Sequence, residues 1–219
     1  MRSQEFYRSK CIEHLDRVWV SYCCAKPAPI DLVKGISDVP AEAKRVEFVN
    51  EVHFVALKTN FELFLTRSLK QVWLEHFDQL RIKDSEKVSL ADVGQLNSLT
   101  EVREFVIDKL VPGHGLSRIG KAIQEVTGVS LPAICKRAWP QIAVTFGIRH
   151  LIEHGNGRVD MKFERDQQHH WNGSSFARNS MPEINAKVVV QEEDIRQSYE
   201  AMKTATSNLS LALSGWTPG

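Results

Sequence analysis

The sequence predicts an all-α fold, a bundle of five or six helices built around one long antiparallel core pair. Three observations carry this. From Pro40 to Gly94 there is neither glycine nor proline, while Phe54, Leu57, Phe61, Phe64, Leu65, Leu69 and Val72 recur at helical spacing. Elsewhere prolines and glycines cut the chain into helix-length pieces, several opening on capping residues. Only Lys187-Val188-Val189-Val190 reads as a strand, and one β-branched run is outweighed by so much helical periodicity.

The elements follow in order. Residues 4 to 24 form a first helix, and Lys26-Pro27-Ala28-Pro29 is a rigid connection that lets it fold back on the next. The long second helix opens with Asp38 as cap, Pro40 in the first turn and Glu42 after it, and ends near Phe77. Ser98-Leu99-Thr100-Glu101 has capping-box spacing: the serine caps a helix running to Leu110 and the glutamate reaches back to the serine amide. Pro112-Gly113-His114-Gly115 stops that helix, and an amphipathic one follows from about Ser117 to Thr127, terminated by Gly128. Pro132 and Pro140 divide the next stretch into a short turn at 133 to 138 and a buried helix from Pro140 to His154. Residues 165 to 185 are polar and read as an exposed loop. The last helix sets Glu192, Glu193 and Asp194 against its positive end and aligns Ile195, Tyr199, Met202, Leu209 and Leu213 along one side.

At 219 residues the chain can bury a full core, and 1–219 reads as a single domain. A net charge of +1, from 28 basic and 27 acidic side chains, excludes a protein that coats nucleic acid by bulk charge, so any RNA contact must be local. Cys11, Cys23, Cys24 and Cys135 lack zinc-site spacing and make a poor disulfide framework, which points to reduced thiols and a cytoplasmic location. No secretory signal or membrane-spanning run is apparent.

Chemistry concentrates at Arg149-His150-Leu151-Ile152-Glu153-His154-Gly155-Asn156-Gly157. An arginine holds phosphate through a permanently charged planar fork, and a histidine exchanges protons near neutral pH, a combination suited to phosphodiester cleavage. Simpler readings exist. Arg149 and Glu153 stand at i,i+4 and can form a surface salt bridge; His150 and His154 share that spacing, but the third ligand a zinc site needs is not evident. Arg149 and His154 are separated by about 140° around a regular helix. They meet only if the glycines let the last turn unwind, or if a two-fold dimer brings both copies to one cleft.

This Arg149-His150-x-x-x-His154 pattern, closing a late helix and trailed by Gly155-x-Gly157-x-Val159-Asp160, resembles the HEPN superfamily, in particular its RiboL-PSP-like prokaryotic type. The resemblance implies a dimeric helical bundle and a metal-independent, cofactor-free endoribonuclease acting on RNA. Arg149 and His154 would be the catalytic pair, with His150 as the motif's adjacent polar residue. It also implies a toxin or defence effector with an antitoxin or defence-system partner. The alternative is a non-catalytic nucleotide-binding or assembly module, paired with an antitoxin or nucleotidyltransferase.

Around the motif, Arg158 and Lys162 are candidate substrate-binding residues, and Lys136-Arg137 and Arg165 can also track a phosphate backbone. His169-His170-Trp171 offers a surface for stacking an unpaired base, Trp19, Trp73 and Trp139 read as core or dimer anchors, and Cys135 has no nearby base to activate it.

Overall fold

A computed structural model of the chain describes residues 4–25, 42–79, 94–111, 115–178 and 180–215. It contains helices α1 (Gln4–Ala25), α2 (Glu42–Glu75), α3 (Leu99–Leu110), α4 (Leu116–Thr127), the short α5 (Leu131–Cys135), α6 (Trp139–Gly155), α7 (Met161–Trp171) and α8 (Glu192–Ser214). Short 3-10 turns at Phe77–Gln79, Lys136–Ala138 and Ser175–Arg178 complete the helical set. The expected all-α bundle is therefore present. The rigid connection at 26–29, the Asp38 and Pro40 start signals, and the stop at 112–114 lie outside the described residues.

The core pair is antiparallel. Gln4 donates to the Ser68 carbonyl (3.1 Å), His14 meets Asn60 (3.3 Å) and the Tyr22 hydroxyl donates to Asn50 (3.1 Å), so rising numbers on α1 pair with falling numbers on α2. Leu15, Phe54, Leu57, Phe61, Leu65 and Leu69 are fully buried between these helices and their neighbours, which is the periodic stripe read from the sequence. The third long element, α8, lies across both and also contacts α5 and α6, burying Ile195, Met202, Ala205 and Leu209.

Local signals place most ends. Ser98 caps α3 by accepting the Glu101 amide (3.2 Å), but Glu101 reaches back to the Asn97 amide (2.8 Å) instead of that of Ser98. Gly128 ends α4 in the left-handed conformation, and α8 begins at Glu192 as its acidic first turn requires.

One expectation is overturned. The segment at 165–185 is not a plain loop: its first part continues α7, which Asp160 caps by accepting the Phe163 amide (2.6 Å), and the Ser175–Arg178 turn follows. Polar residues dominate this stretch, yet Phe163, Trp171 and Phe176 converge and are buried, with Trp171 and Phe176 ring centroids 5.4 Å apart. Residues 187–190 form no strand, in keeping with the helical periodicity that outweighed that run. Val188 and Val190 turn inward and Val189 outward, as a strand would, but the pairing is a single antiparallel bridge between Arg158 and Lys187.

Asp194 illustrates how the loop and α8 lock together. It is fully buried, receives both terminal nitrogens of Arg178 (2.5 Å each), the Ser175 hydroxyl (2.7 Å) and the Gln191 amide (2.9 Å). Asp194→Ala should cost about 3 kcal/mol, because it leaves several desolvated donors without an acceptor. The urea midpoint measures this; a loss under about 1 kcal/mol would mean water replaces the carboxylate.

The α1–α8 contact carries a second polar cluster. Asp16 accepts from the Tyr199 hydroxyl (2.6 Å) and Lys203 (3.0 Å), beside a stacked Trp19–Tyr199 pair at 5.5 Å. The Tyr199 hydrogen bond, opposed by partial desolvation and aided by Lys203, holds the Asp16 carboxyl below its ordinary 3.8. A depressed carboxylate contributes stability in full above that ordinary value and loses it as pH falls through the folded one. Asp16→Asn should therefore flatten the loss of stability below about pH 4, read from urea midpoints across an acid series. Parallel acid limbs would show the cluster to be energetically silent.

Candidate functional site

The motif helix α6 starts on Trp139 and Pro140, whose ring occupies the first turn, where a missing amide is harmless. One face turns to the core. Gln141 donates to the Ser198 hydroxyl (2.8 Å), Thr145 shares a hydrogen bond with the same oxygen (2.8 Å), and Val144, Ile148 and Leu151 are buried beside them. The other face carries Trp139, Ala143, Phe146, Gly147 and His150, which line an open groove.

The end of the helix decides how the motif is presented. α6 stays helical through Gly155 and closes with Asn156 in the left-handed region (φ 51°) and Gly157 at φ 75°, whose amide returns to the Leu151 carbonyl (2.9 Å). A side chain at Gly157 would be strained by that φ and would crowd Lys187 Cε at 3.2 Å. The glycines thus terminate the last turn without unwinding it. Within one chain the regular last turn keeps Arg149 and His154 about 140° apart around the helix.

Two i,i+4 contacts form instead. Arg149 is ion-paired with Glu153, the simple surface salt bridge of the sequence reading, and the second Glu153 oxygen lies 3.9 Å from His154 Nε2. The His150 and His154 rings are 4.7 Å apart. The His154 side chain is 63% exposed, so it is open to a partner molecule, whereas Arg149 is half-buried and its Nε is enclosed with no protein acceptor. Among the described residues no three His, Cys, Asp or Glu side chains cluster as a metal would require.

The groove has a volume of about 720 Å³. α6 forms its floor, α4 and α7 its walls, and α2 closes one side with Lys58 and Glu62. Wall and floor meet closely at Gly147, where a β-carbon would lie 2.9 Å from the Phe163 ring and 3.0 Å from Gln167. Lys58 and Glu62 form an ion pair with side chains only 4% and 9% exposed. Glu62 also accepts the Gly115 amide at the start of α4 (3.1 Å), and the Lys58 ammonium sits 5.1 Å from the Phe146 ring centroid.

The structure brings Arg149, His150 and Lys162 to this one groove and leaves His154 and Arg158 outside it. Arg158 donates to the Asn185 carbonyl (2.7 Å) and helps tie the chain after α6 to the segment before α8. The base-stacking reading of His169-His170-Trp171 is corrected, because Trp171 is 3% exposed and inside the core. Trp139, read as a core or dimer anchor, is partly buried against the core and also lines the groove, edge-on to His170 at 6.0 Å. Burial, and then the charge of His169, push the His170 imidazole below its usual value, which favours a neutral ring at pH 7.

Lys58 and Glu62 are the groove residues that sequence reasoning missed. Their signal was available: a Lys and a Glu at i,i+4, each flanked by the deeply buried Leu57, Phe61 and Leu65. Long charged side chains so close to a core stripe either reach outward to water or pair in place, and only packing by α4 and α6 selects the second.

Comparison with family models, curated proteins and solved structures finds no match to this chain. None of the helices described is long and apolar enough to cross a membrane.

Burial raises the thiols of Cys11 and Cys135 to about 12, which removes Cys135 as a nucleophile near neutral pH; Cys23 and Cys24 are exposed. A chromogenic disulfide reagent at pH 8 should therefore titrate two thiols quickly in the native protein and all four in denaturant. Rapid native reaction of a third would place Cys11 or Cys135 at the surface.

Proposed function

We propose that the protein is a metal-independent endoribonuclease of HEPN type that cleaves single-stranded RNA as a homodimer, in the role of a toxin or defence effector. The observation that carries the reading is the way α6 ends. Arg149 stands at the groove with an unpartnered Nε while His154 is exposed about a turn further on, so a second copy facing the first would gather two of each residue around one phosphate.

The chemistry asked of such a composite site is modest. One His154 takes the proton of a 2′-hydroxyl, whose oxygen attacks phosphorus. The other His154 protonates the departing 5′-oxygen, and the Arg149 guanidinium groups stabilise the phosphorane charge. The products are a 2′,3′-cyclic phosphate and a 5′-hydroxyl, and DNA is inert because it has no nucleophile. Engagement requires Arg149 to exchange Glu153 for phosphate, or to hold both.

The Arg149–Glu153 pair also favours a second reading, a non-catalytic nucleotide-binding or assembly module in which the arginine serves only the helix surface. Incubation of the purified protein with single-stranded RNA in excess chelator separates the two. The nuclease reading expects twice the chain mass by light scattering, cleavage that survives chelation, and cyclic phosphate ends. His154→Ala should lower the rate roughly 100-fold or more with the helical signal unchanged. Arg149→Lys should be nearly as damaging as Arg149→Ala, since lysine keeps the charge but not the bidentate fork. Products with 5′-phosphates, or full activity in either variant, would refute this chemistry.

A further inference from the structure

We propose that the groove walled by α4 and α7 is a track for single-stranded RNA, carrying the nucleotides next to the phosphodiester held at Arg149 and stacking one base on Trp139 at its far end. This rests on the ribonuclease reading for its placement of the phosphate, but the groove itself is independent of it. The floor from Trp139 to His150 rises about 16 Å along α6, several times the 3.4 Å step of a stacked nucleotide. A volume of about 720 Å³ falls within the usual range for a ligand site.

The lining has the mixed character that a single strand needs. At one end stand Arg149, His150 and Lys162; at the other, half-buried Trp139 lies edge-on to His170. Of the three carboxylates in the lining, Glu62 is paired with Lys58, Asp160 caps α7 and Asp166 accepts from Arg165, so each has a protein donor already. Lys58, Lys121, Arg149 and Lys162 all border the same space. Cations along a channel and an aromatic ring within it are the elements of sequence-tolerant strand binding, in which backbone charge and base stacking act together.

Two further features belong to the same lining. An ion pair as buried as Lys58–Glu62 costs desolvation that apolar residues of similar size would avoid, yet it borders an open groove where Lys58 can meet an anion. Gln167, whose side-chain carbonyl oxygen is enclosed without a donor, lies in the same wall and can accept from the edge of a base.

The test uses the full chain and a labelled 2′-O-methyl RNA hexamer, which cannot be cut, read by fluorescence anisotropy. Single abasic sites are moved along the strand. Loss of one particular base should weaken binding roughly 5- to 100-fold, with smaller effects elsewhere. Trp139→Ala should abolish that position dependence and Trp139→Phe preserve it, with circular dichroism confirming the helices in both. No binding, a flat abasic profile, or a profile that survives Trp139→Ala would overturn the track. Unmodified RNA left intact in chelator alongside a position-dependent profile would instead remove the nuclease reading and leave the track standing. Cleavage with a flat profile would do the reverse.

Discussion

The grip of α8 on one face of α6 is the contact on which the rest depends. Ser198 meets both Gln141 and Thr145 at 2.8 Å, and the Gln141 carbonyl accepts the Ser175 amide at 2.7 Å. These groups are buried or nearly so, and each has its partner, so the cluster fixes the rotation of α6 about its own axis more strictly than apolar contact would. With that rotation set, the stripe from Trp139 to His150 must face away from the core. α7 then covers part of it, held in by Phe163 and Trp171, and the uncovered remainder is the groove.

The last turn of α6 poses a competition. Glu153 stands one turn beyond Arg149 and within 3.9 Å of His154, so a single carboxylate addresses both residues of the motif. In a chain by itself this is a half-exposed ion pair of small energetic consequence. In a composite site the same carboxylate would orient the histidine or be displaced by phosphate. Arg149 and His154 of one chain stand about 140° apart around the regular helix and are linked through that carboxylate.

The Lys58–Glu62 pair gives the groove its link to the main core. It sits among Leu57, Phe61 and Leu65 on α2, and through the amide of Gly115, the residue just before α4, it also anchors the start of that helix. Substituting apolar residues there would be tolerated by the packing; the charge in the groove wall would be lost.

How much was legible follows from the range of each interaction. The stripe from Phe54 to Val72, the termination of α4 at Gly128, and the start of α8 at Glu192 all lie in residues within a turn or two of one another, and the sequence alone determined them. The Arg149-His150-x-x-x-His154 motif was legible as a charged and titratable cluster closing a helix, and its angular separation followed from helix geometry. Residues 165–185 misled because their composition is polar: the apolar residues that matter, Trp171 and Phe176 with Phe163 just before them, are few and find their partners only against other helices and one another. Only the tertiary structure decided that Lys58, Trp139, Lys162 and Gln167 border one space. They lie on α2 and on the consecutive helices α6 and α7, and nothing local couples α2 to the other two; their meeting is fixed by the way α6 is turned against α8.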